Sequence, residues 1–384
     1  QRMSGASTFD RPPAPHVLFA ILDWGMGHAT RTWPLIVSAR KLGARVTIAS
    51  RGTAGVWLDA RMAEWDRLHP QAGGAAWSRV EKPGVTIRYA QGLGTLPRIA
   101  LQMPGFVRSI TAERNWTTAF AAEHGVTHVF SDNCYGACAR LPGVTNVFLS
   151  HQLNPPVPSA VRGWATAVVR RYAETFDEVW VPDTEDCVLA GRLAHAISAP
   201  TRYIGPLSRF QVKDDSVARL DDAPVLLGLV SGPEPQRTTM EEDLRTCFQR
   251  DGRRALILAG RPGGGEHRDG NVLTVHDADD ARFRQAVLAA DTIVCRSGYS
   301  TLLDLVVLGR TAVLVPTVGQ PEQEFLAREW TRLHGWTALH ASQLVSFEPD
   351  EVRGRPVRVE GPGPEALMQD WLQLASVMEL EPAS

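Results

Sequence analysis

Short apolar runs recur along this chain, each closing on a polar or glycine-containing turn that opens a longer stretch with helical spacing. In the first half the runs are Val17–Leu22, Arg45–Ala49, Val126–Phe130, Asn146–Leu149 and Glu178–Val181. In the second half they are Val225–Val230, Arg254–Leu258, Val272–Val275, Thr292–Cys295 and Thr311–Val315. Runs that are apolar on both faces suit strands covered by helices on either side, so the pattern predicts an α/β fold with parallel sheets. It occurs twice, separated by Tyr203-Ile204-Gly205-Pro206-Leu207 and a polar stretch to Pro224. The reading is two Rossmann-like, doubly wound domains facing each other across a cleft, 16–205 and 206–363. Residues 1–15 read as a disordered leader, with Gln1-Arg2 before Met3 a cloning remnant. Residues 364–384 read as a last helix placed to pack back on the first domain. The topology repeats; the sequence does not.

In open parallel sheets, ligands collect beyond the carboxyl ends of the strands. There the first half carries Asp23-Trp24-Gly25-Met26-Gly27-His28-Ala29-Thr30-Arg31, Ser131-Asp132-Asn133 and Ser150-His151-Gln152-Leu153-Asn154. His28, Asp132 and His151 thus share one rim, and two histidines with a carboxylate suit proton transfer near neutral pH. Taken singly, each has an ordinary structural explanation: a helix start, a turn cap, a satisfied histidine at a strand end. On the same rim, Trp24, Gly27, Asn133 and Gln152 are candidate contacts to an acceptor.

The second half offers Cys295-Arg296-Ser297-Gly298-Tyr299-Ser300-Thr301 between a strand and a helix. A strand that turns on small residues into a helix aims free N–H groups and the positive end of the helix dipole at one spot, which suits a diphosphate. Asp304, one carboxylate among leucines and valines, needs a partner, and a ribose diol would supply one. After the strand ending at Val315, the Pro316–Glu324 stretch is dense in amides and carboxylates, with Gln320, Glu322, Gln323 and Glu324 suited to sugar hydroxyls. Arg237 or Arg261 is placed to clamp a diphosphate, and Gly260–Gly265 reads as a plain flexible connection.

Composition narrows the partners. Among 384 residues, 40 basic side chains face 42 acidic ones, a net charge of −2, so no global positive field favours nucleic acid. Five scattered cysteines suit a reducing cytoplasm, and Cys134 and Cys138 lack the second pair that a zinc site needs. No apolar run has the length of a membrane span. Leu93–Phe120, with Arg98, Arg108 and Arg114 among apolar residues, reads as a core-packed helix, with an interfacial helix at the inner face of a membrane as the second reading.

These residues resemble the bacterial GT-B glycosyltransferases of the MurG-like kind. Gly25-Met26-Gly27-His28 is similar to the family's glycine-rich first loop ending in histidine. Ala290–Ala327, with Arg296-Ser297-Gly298, Ser300-Thr301, Asp304, Gly309, Pro316 and Gln323, is similar to its donor-nucleotide region. By that likeness Asp304 stands where the family has a ribose-binding acid, and Gln323 with Glu324 where a glutamine pair contacts the donor sugar. The first loop has fewer glycines, Ser231-Gly232-Pro233 replaces a Gly-Gly-Ser cradle, and Glu324 breaks the glutamine pair. The resemblance implies an inverting, metal-independent glycosyltransferase that uses a nucleotide diphosphate sugar, a UDP-sugar first of all, as co-substrate, with no cofactor. The second domain would hold the donor and the first a hydroxyl acceptor, with His28, Asp132 or His151 as base. A UDP-sugar 2-epimerase and a non-catalytic nucleotide-sugar-binding subunit are the alternatives. Oligomeric state is not legible in the sequence.

Overall fold

The computed structural model describes residues 14–70, 76–84, 95–212, 223–261 and 263–378, apart from the side chains of 95–104, 351 and 374–378. The first domain is a seven-stranded sheet made of β1 (His16–Ile21), β2 (Arg45–Ala49), β3 (Trp77–Val80), β4 (His128–Asp132), β5 (Thr145–Leu149), β6 (Glu178–Val181) and β7 (Thr201–Tyr203). Its spatial order is β3-β2-β1-β4-β5-β6-β7, and every pair is parallel. Helices α1 (Gly27–Lys41), α2 (Gly52–Leu68), α3 (Thr95–His124) and α4 (Ser159–Ala173) connect the strands. Register sets Asp132, the last residue of β4, beside Ile21 on one side and Leu149 on the other. The carboxyl ends of the three central strands therefore share one rim.

In the second domain the sheet order is β10-β11-β9-β8-β12-β13, formed by β8 (Leu226–Leu229), β9 (Ala255–Leu258), β10 (Glu266–Asp269), β11 (Val272–Val275), β12 (Thr292–Cys295) and β13 (Val313–Leu314). All neighbours are parallel except β10, which runs antiparallel to β11. Its helices are α5 (Gln236–Asp251), α6 (Asp280–Ala289), α7 (Tyr299–Val307) and α8 (Pro321–His334).

Strands β3, β7 and β10 carry no apolar run and were not legible as strands. All three lie at sheet edges, and β10 is exposed along its whole length, so one or both faces meet water and need no apolar side chains. Within Gly260–Gly265, where Pro262 lies outside the described residues, the Arg261 amide donates to the His276 carbonyl at 2.6 Å and the Gly264 amide to the Arg261 carbonyl at 3.2 Å, just ahead of the β10–β11 hairpin.

The chain crosses between domains twice, and the crossings touch. Gly205 sits at φ 72°, and a Cβ there would stand 2.8 Å from the Gly361 Cα. A side chain on either glycine would push the two connections apart. Beyond the second crossing, α9 (Gly363–Met378) returns to the first domain, where Leu367, Met368, Trp371 and Leu372 are buried with Phe130 and Trp180. The domains also share apolar packing beneath the cleft. Trp330 of α8 is buried and donates through Nε1 to the Leu189 carbonyl at 2.7 Å. Trp371→Ala should destabilise the first domain by about 3–5 kcal/mol although it lies far away in sequence, a loss readable from denaturant midpoints.

Candidate active site

Gly25, at φ 85°, turns the chain after β1, and α1 begins at Gly27. His28 and Arg31, one turn apart, lie on the same face of α1 and both point at Asp132. His28 Nδ1 lies 2.9 Å from Asp132 Oδ1, Arg31 Nε donates to Oδ2 at 2.9 Å, and Thr32 Oγ1 donates to Oδ2 at 2.7 Å. Arg31 Nη2 donates to Oδ1 as well. Asp132 is fully buried and Arg31 nearly so. Burial opposes the charge on Asp132, yet Arg31 and then His28 hold its carboxyl well below the usual carboxylate range. His28 Nδ1 also lies 2.9 Å from Arg31 Nη2, so it stands between a donor and an acceptor; a bare Nδ1 would be repelled by the charged carboxylate, which favours the Nδ1–H donating to Asp132. Its Nε2 then keeps the lone pair, and no described residue takes it.

Arg31 reaches one step further, placing Nη1 3.1 Å from His151 Nδ1. A guanidinium only donates, so His151 accepts at Nδ1 and carries its proton on Nε2. That proton points at Glu322 Oε1 of the second domain, 2.9 Å away. His151 also stacks on Tyr299, with centroids 3.9 Å apart and planes 6° apart. Burial pushes its pKa down, against the pull of Glu322. With both ring nitrogens engaged, His151 has no lone pair to offer a substrate, and Asp132 already accepts from three residues. Of the three rim candidates, His28 alone keeps an open nitrogen.

On the opposite lip, α7 starts after Gly298, and its first-turn amides have no carbonyl one turn back within the helix. The hydroxyls nearby are already engaged: Ser297 donates to the Gln323 carbonyl at 2.7 Å, Ser300 to the Gly27 carbonyl at 2.9 Å, and Tyr299 to the Pro182 carbonyl at 2.6 Å. Thr301 is half-buried on the same turn. The cradle is thus made of backbone, and the Tyr299 and Ser300 hydroxyls close it against the first domain. A Cβ on Gly27 would stand 2.8 Å from Ser300 Oγ, so a side chain there would displace that hydroxyl from the Gly27 carbonyl. Gln323 accepts from the Thr317 amide at 2.9 Å through Oε1, leaving Nε2 near Gly298. Glu324 accepts from the Gly319 amide at 2.9 Å, and Gln320 is the residue preceding α8.

Three expected donor contacts have other partners here. Arg296 is buried and gives Nη1 to the Val315 carbonyl at 3.1 Å and Nη2 to the Gln236 carbonyl at 2.8 Å, so it ties together the loops after β12 and β13 and the start of α5. Burial brings its pKa down to about 10. Arg237 pairs with Glu234 at 2.8 Å and donates to the Gly260 carbonyl at 3.0 Å. Asp304 has both oxygens taken from the interdomain connection, by Ser208 Oγ at 2.6 Å and Arg209 at 3.3 Å. Arg209 goes on to Asp280 at 2.9 Å, and Asp280 to Arg61 of α2 at 3.1 Å. The carboxylate found its partners in the connection between the domains, which no spacing in the sequence reveals.

Beside Trp24 the first domain has a cavity of about 50 Å³, lined by Trp24, Phe106, Ile110, Tyr135, Lys82 and Glu113 among others. At its buried wall Lys82 Nζ donates to Glu113 Oε1 at 2.6 Å, and the other Glu113 oxygen accepts from the Gly136 amide at 2.9 Å. Asn133 borders it in a left-handed conformation, φ 57°, and accepts from Ser150, which also takes the Gln152 amide. Among the described residues, no helix is long and apolar enough to cross a membrane, and no group of His, Cys, Asp or Glu is arranged to hold a metal ion. All five cysteines are buried and free.

No family model matches the chain. Over 316 residues it is 28% identical to the UDP-N-acetylglucosamine--N-acetylmuramyl-(pentapeptide) pyrophosphoryl-undecaprenol N-acetylglucosamine transferase of Clavibacter michiganensis subsp. michiganensis (strain NCPPB 382), covering 78% of this chain and 77% of that protein. Among solved structures it is similar to the glycotransferase of kitacinnamycin, with TM-score 0.58, 15% identity and coverage of 96% and 99% of the two chains. SnogD from Streptomyces nogalater gives TM-score 0.58, 17% identity and coverage of 94% and 100%. Arabidopsis thaliana UGT89C1 with UDP-L-rhamnose gives 0.56, 12% and coverage of 96% of each chain. The chain has the GT-B fold and is similar to the MurG-like transferases. The curated relative and these structural neighbours are all glycosyltransferases.

Sequence reasoning missed Arg31, Thr32, Ser208, Arg209 and the Lys82–Glu113 pair. Arg31 alone left a signal, being one helical turn from His28. Burial, opposed by Arg209 and Ser208, raises the Asp304 pKa to about 6. An acid with a raised folded-state pKa stabilises the fold below its unfolded value and loses that contribution as pH rises through the folded one. From about pH 4 to about pH 6, Asp304 should therefore remove up to about 3 kcal/mol of stability. Asp304→Asn should lack that decline, gaining on the wild type as pH rises in a denaturation series.

Proposed function

We propose that this chain moves a sugar from a nucleoside diphosphate sugar, a UDP-sugar first of all, to a hydroxyl acceptor, with inversion at the anomeric carbon and without a metal ion. The observation that carries the reading is the meeting of the His28–Asp132 pair with two helix starts: Ser300 at the head of α7 donates to Gly27 at the head of α1, one residue from His28. A base and two positive helix ends then border one point of the cleft. His28 Nε2 takes the acceptor hydroxyl proton as the oxygen bonds to the anomeric carbon. On the opposite face the bond to the diphosphate breaks, and its electron pair leaves with the nucleotide, whose charge the first-turn amides of α7 stabilise. Because α1 and α7 touch, the diphosphate lies beside their contact. Gln323 Nε2 and Glu322, with Gln320 and Glu324 nearby, face the donor sugar. The UDP preference leans on the relative named for UDP-N-acetylglucosamine and on the neighbour holding UDP-L-rhamnose.

The cavity beside Trp24 is the acceptor's place in this reading. Its charged pair is neutralised internally and aromatic rings wall it, and at about 50 Å³ it suits a small uncharged edge of an acceptor that extends out of it. Exposed Val107 and Arg108 on α3 and exposed Trp164 on α4 support peripheral contact with a membrane surface, checked by vesicle flotation.

Two measurements test the scheme. His28→Ala should lower kcat by about two to four powers of ten while calorimetry shows UDP binding intact; unchanged turnover would remove His28 from the role. Ser109→Trp, which fills the cavity from α3, should raise the acceptor KM at least about tenfold with the donor KM little changed. An acceptor KM equal to the wild type's would place the acceptor elsewhere.

A further inference from the structure

We propose that Arg31 is a positioning residue: its guanidinium sets the tautomers of both His28 and His151, and so ties the proton-accepting nitrogen of the first domain to the Glu322 contact made by the second. The role rests on the transferase reading only for its kinetic test. Arg31 is 2% exposed and sits at the centre of the site without facing substrate. The charged and titratable groups around it are His28 on its own helix, Asp132 at the end of β4, His151 after β5, Tyr299 on α7 and Glu322 on α8.

The fork of the guanidinium decides what each neighbour can be. Nε and Nη2 lie on the two oxygens of Asp132 and keep that carboxylate charged; Nη2 also stands 2.9 Å from His28 Nδ1, and it is the charged carboxylate that favours a proton on that nitrogen. Nη1 donates to His151 Nδ1, which forces the His151 proton onto Nε2 and toward Glu322. The cation with no lone pair thus fixes the His151 tautomer directly, and that of His28 through the charge it holds on Asp132. Without Arg31, His151 is free to put a bare Nε2 against the Glu322 carboxylate, which loosens the lip contact. Asp132 would lose its main counter-charge and hold its own charge by drawing a proton onto His28, filling the nitrogen that accepts the acceptor proton. Lysine, a single ammonium on a flexible stem, cannot serve Asp132 and His151 together.

Ring-nitrogen NMR of protein carrying ¹⁵N-histidine tests this without substrate, the two signals being assigned by their loss in His28→Gln and His151→Gln. The expected wild-type spectrum shows neutral His28 protonated at Nδ1 and neutral His151 protonated at Nε2. In Arg31→Gln, His28 should hold a second proton to higher pH than in the wild type, and the His151 pattern should change. Kinetically, Arg31→Lys and Arg31→Gln should lower kcat about 100-fold or more, with both KM values within about threefold. The acidic limb of the kcat profile should move to higher pH. A merely structural arginine would lower the melting temperature and leave the tautomers and the pH profile alone. A wild-type His28 protonated at Nε2, a wild-type His151 protonated at Nδ1, or a folded Arg31→Lys enzyme with normal kcat overturns the proposal. If Arg31→Gln does not fold, the wild-type spectrum and Arg31→Lys decide. If no acceptor is ever glycosylated, the transferase reading fails and the NMR result still stands or falls by itself.

Discussion

The buried pair of Arg31 and Asp132 is the contact on which the site depends. Asp132 is fully enclosed, and a bare carboxylate there would be prohibitive, so its charge exists only because the guanidinium lies along both its oxygens. Breaking such a pair by removing one partner typically costs about 3–5 kcal/mol. The geometry that follows is specific. With Asp132 charged, His28 must donate from one nitrogen and is left with the other, and the spare arm of Arg31 sets His151 toward the second domain.

A second set of charges works at the back of the cleft. Arg61, Asp280, Arg209 and Asp304 alternate in sign from α2 through α6 and the domain connection to α7, while Gly205 and Gly361 let the two crossing segments lie in contact. Small residues at the crossing and polar contacts at both lips, over an apolar base around Trp330, suit two bodies that must keep a defined relation. The returning helix α9 adds Trp371 to the core of the first domain, so it helps to hold the sheet whose rim carries Asp132 and His151.

Much of this was legible because parallel strands buried on both faces must be apolar. Val17–Leu22 and Thr292–Cys295 stand out for that reason, whereas the edge strands β3, β7 and β10 face water and carry no such mark. The rim position of His28, Asp132 and His151 followed from strand ends alone. Which of them offers a lone pair did not follow, since that depends on the direction of hydrogen bonds made through Arg31 and Glu322. Asp304 shows the same limit. Its need for a partner was plain from its apolar neighbours, yet Ser208 and Arg209 supplied it from 96 and 95 positions away in the chain.

Local pattern by itself determined the two-domain α/β organisation, a helix start within Ser297–Thr301 and the polar rim, because periodicity and turn chemistry act over a few residues. Tertiary structure alone decided which polar side chains are engaged and which remain open: Ser297, Ser300, Arg296 and Asp304 are held by partners, while His28 Nε2 is not among the atoms so held. The physical reason is that a hydrogen bond depends on distance and direction in space, and the chain brings those partners together only when both domains have folded and met.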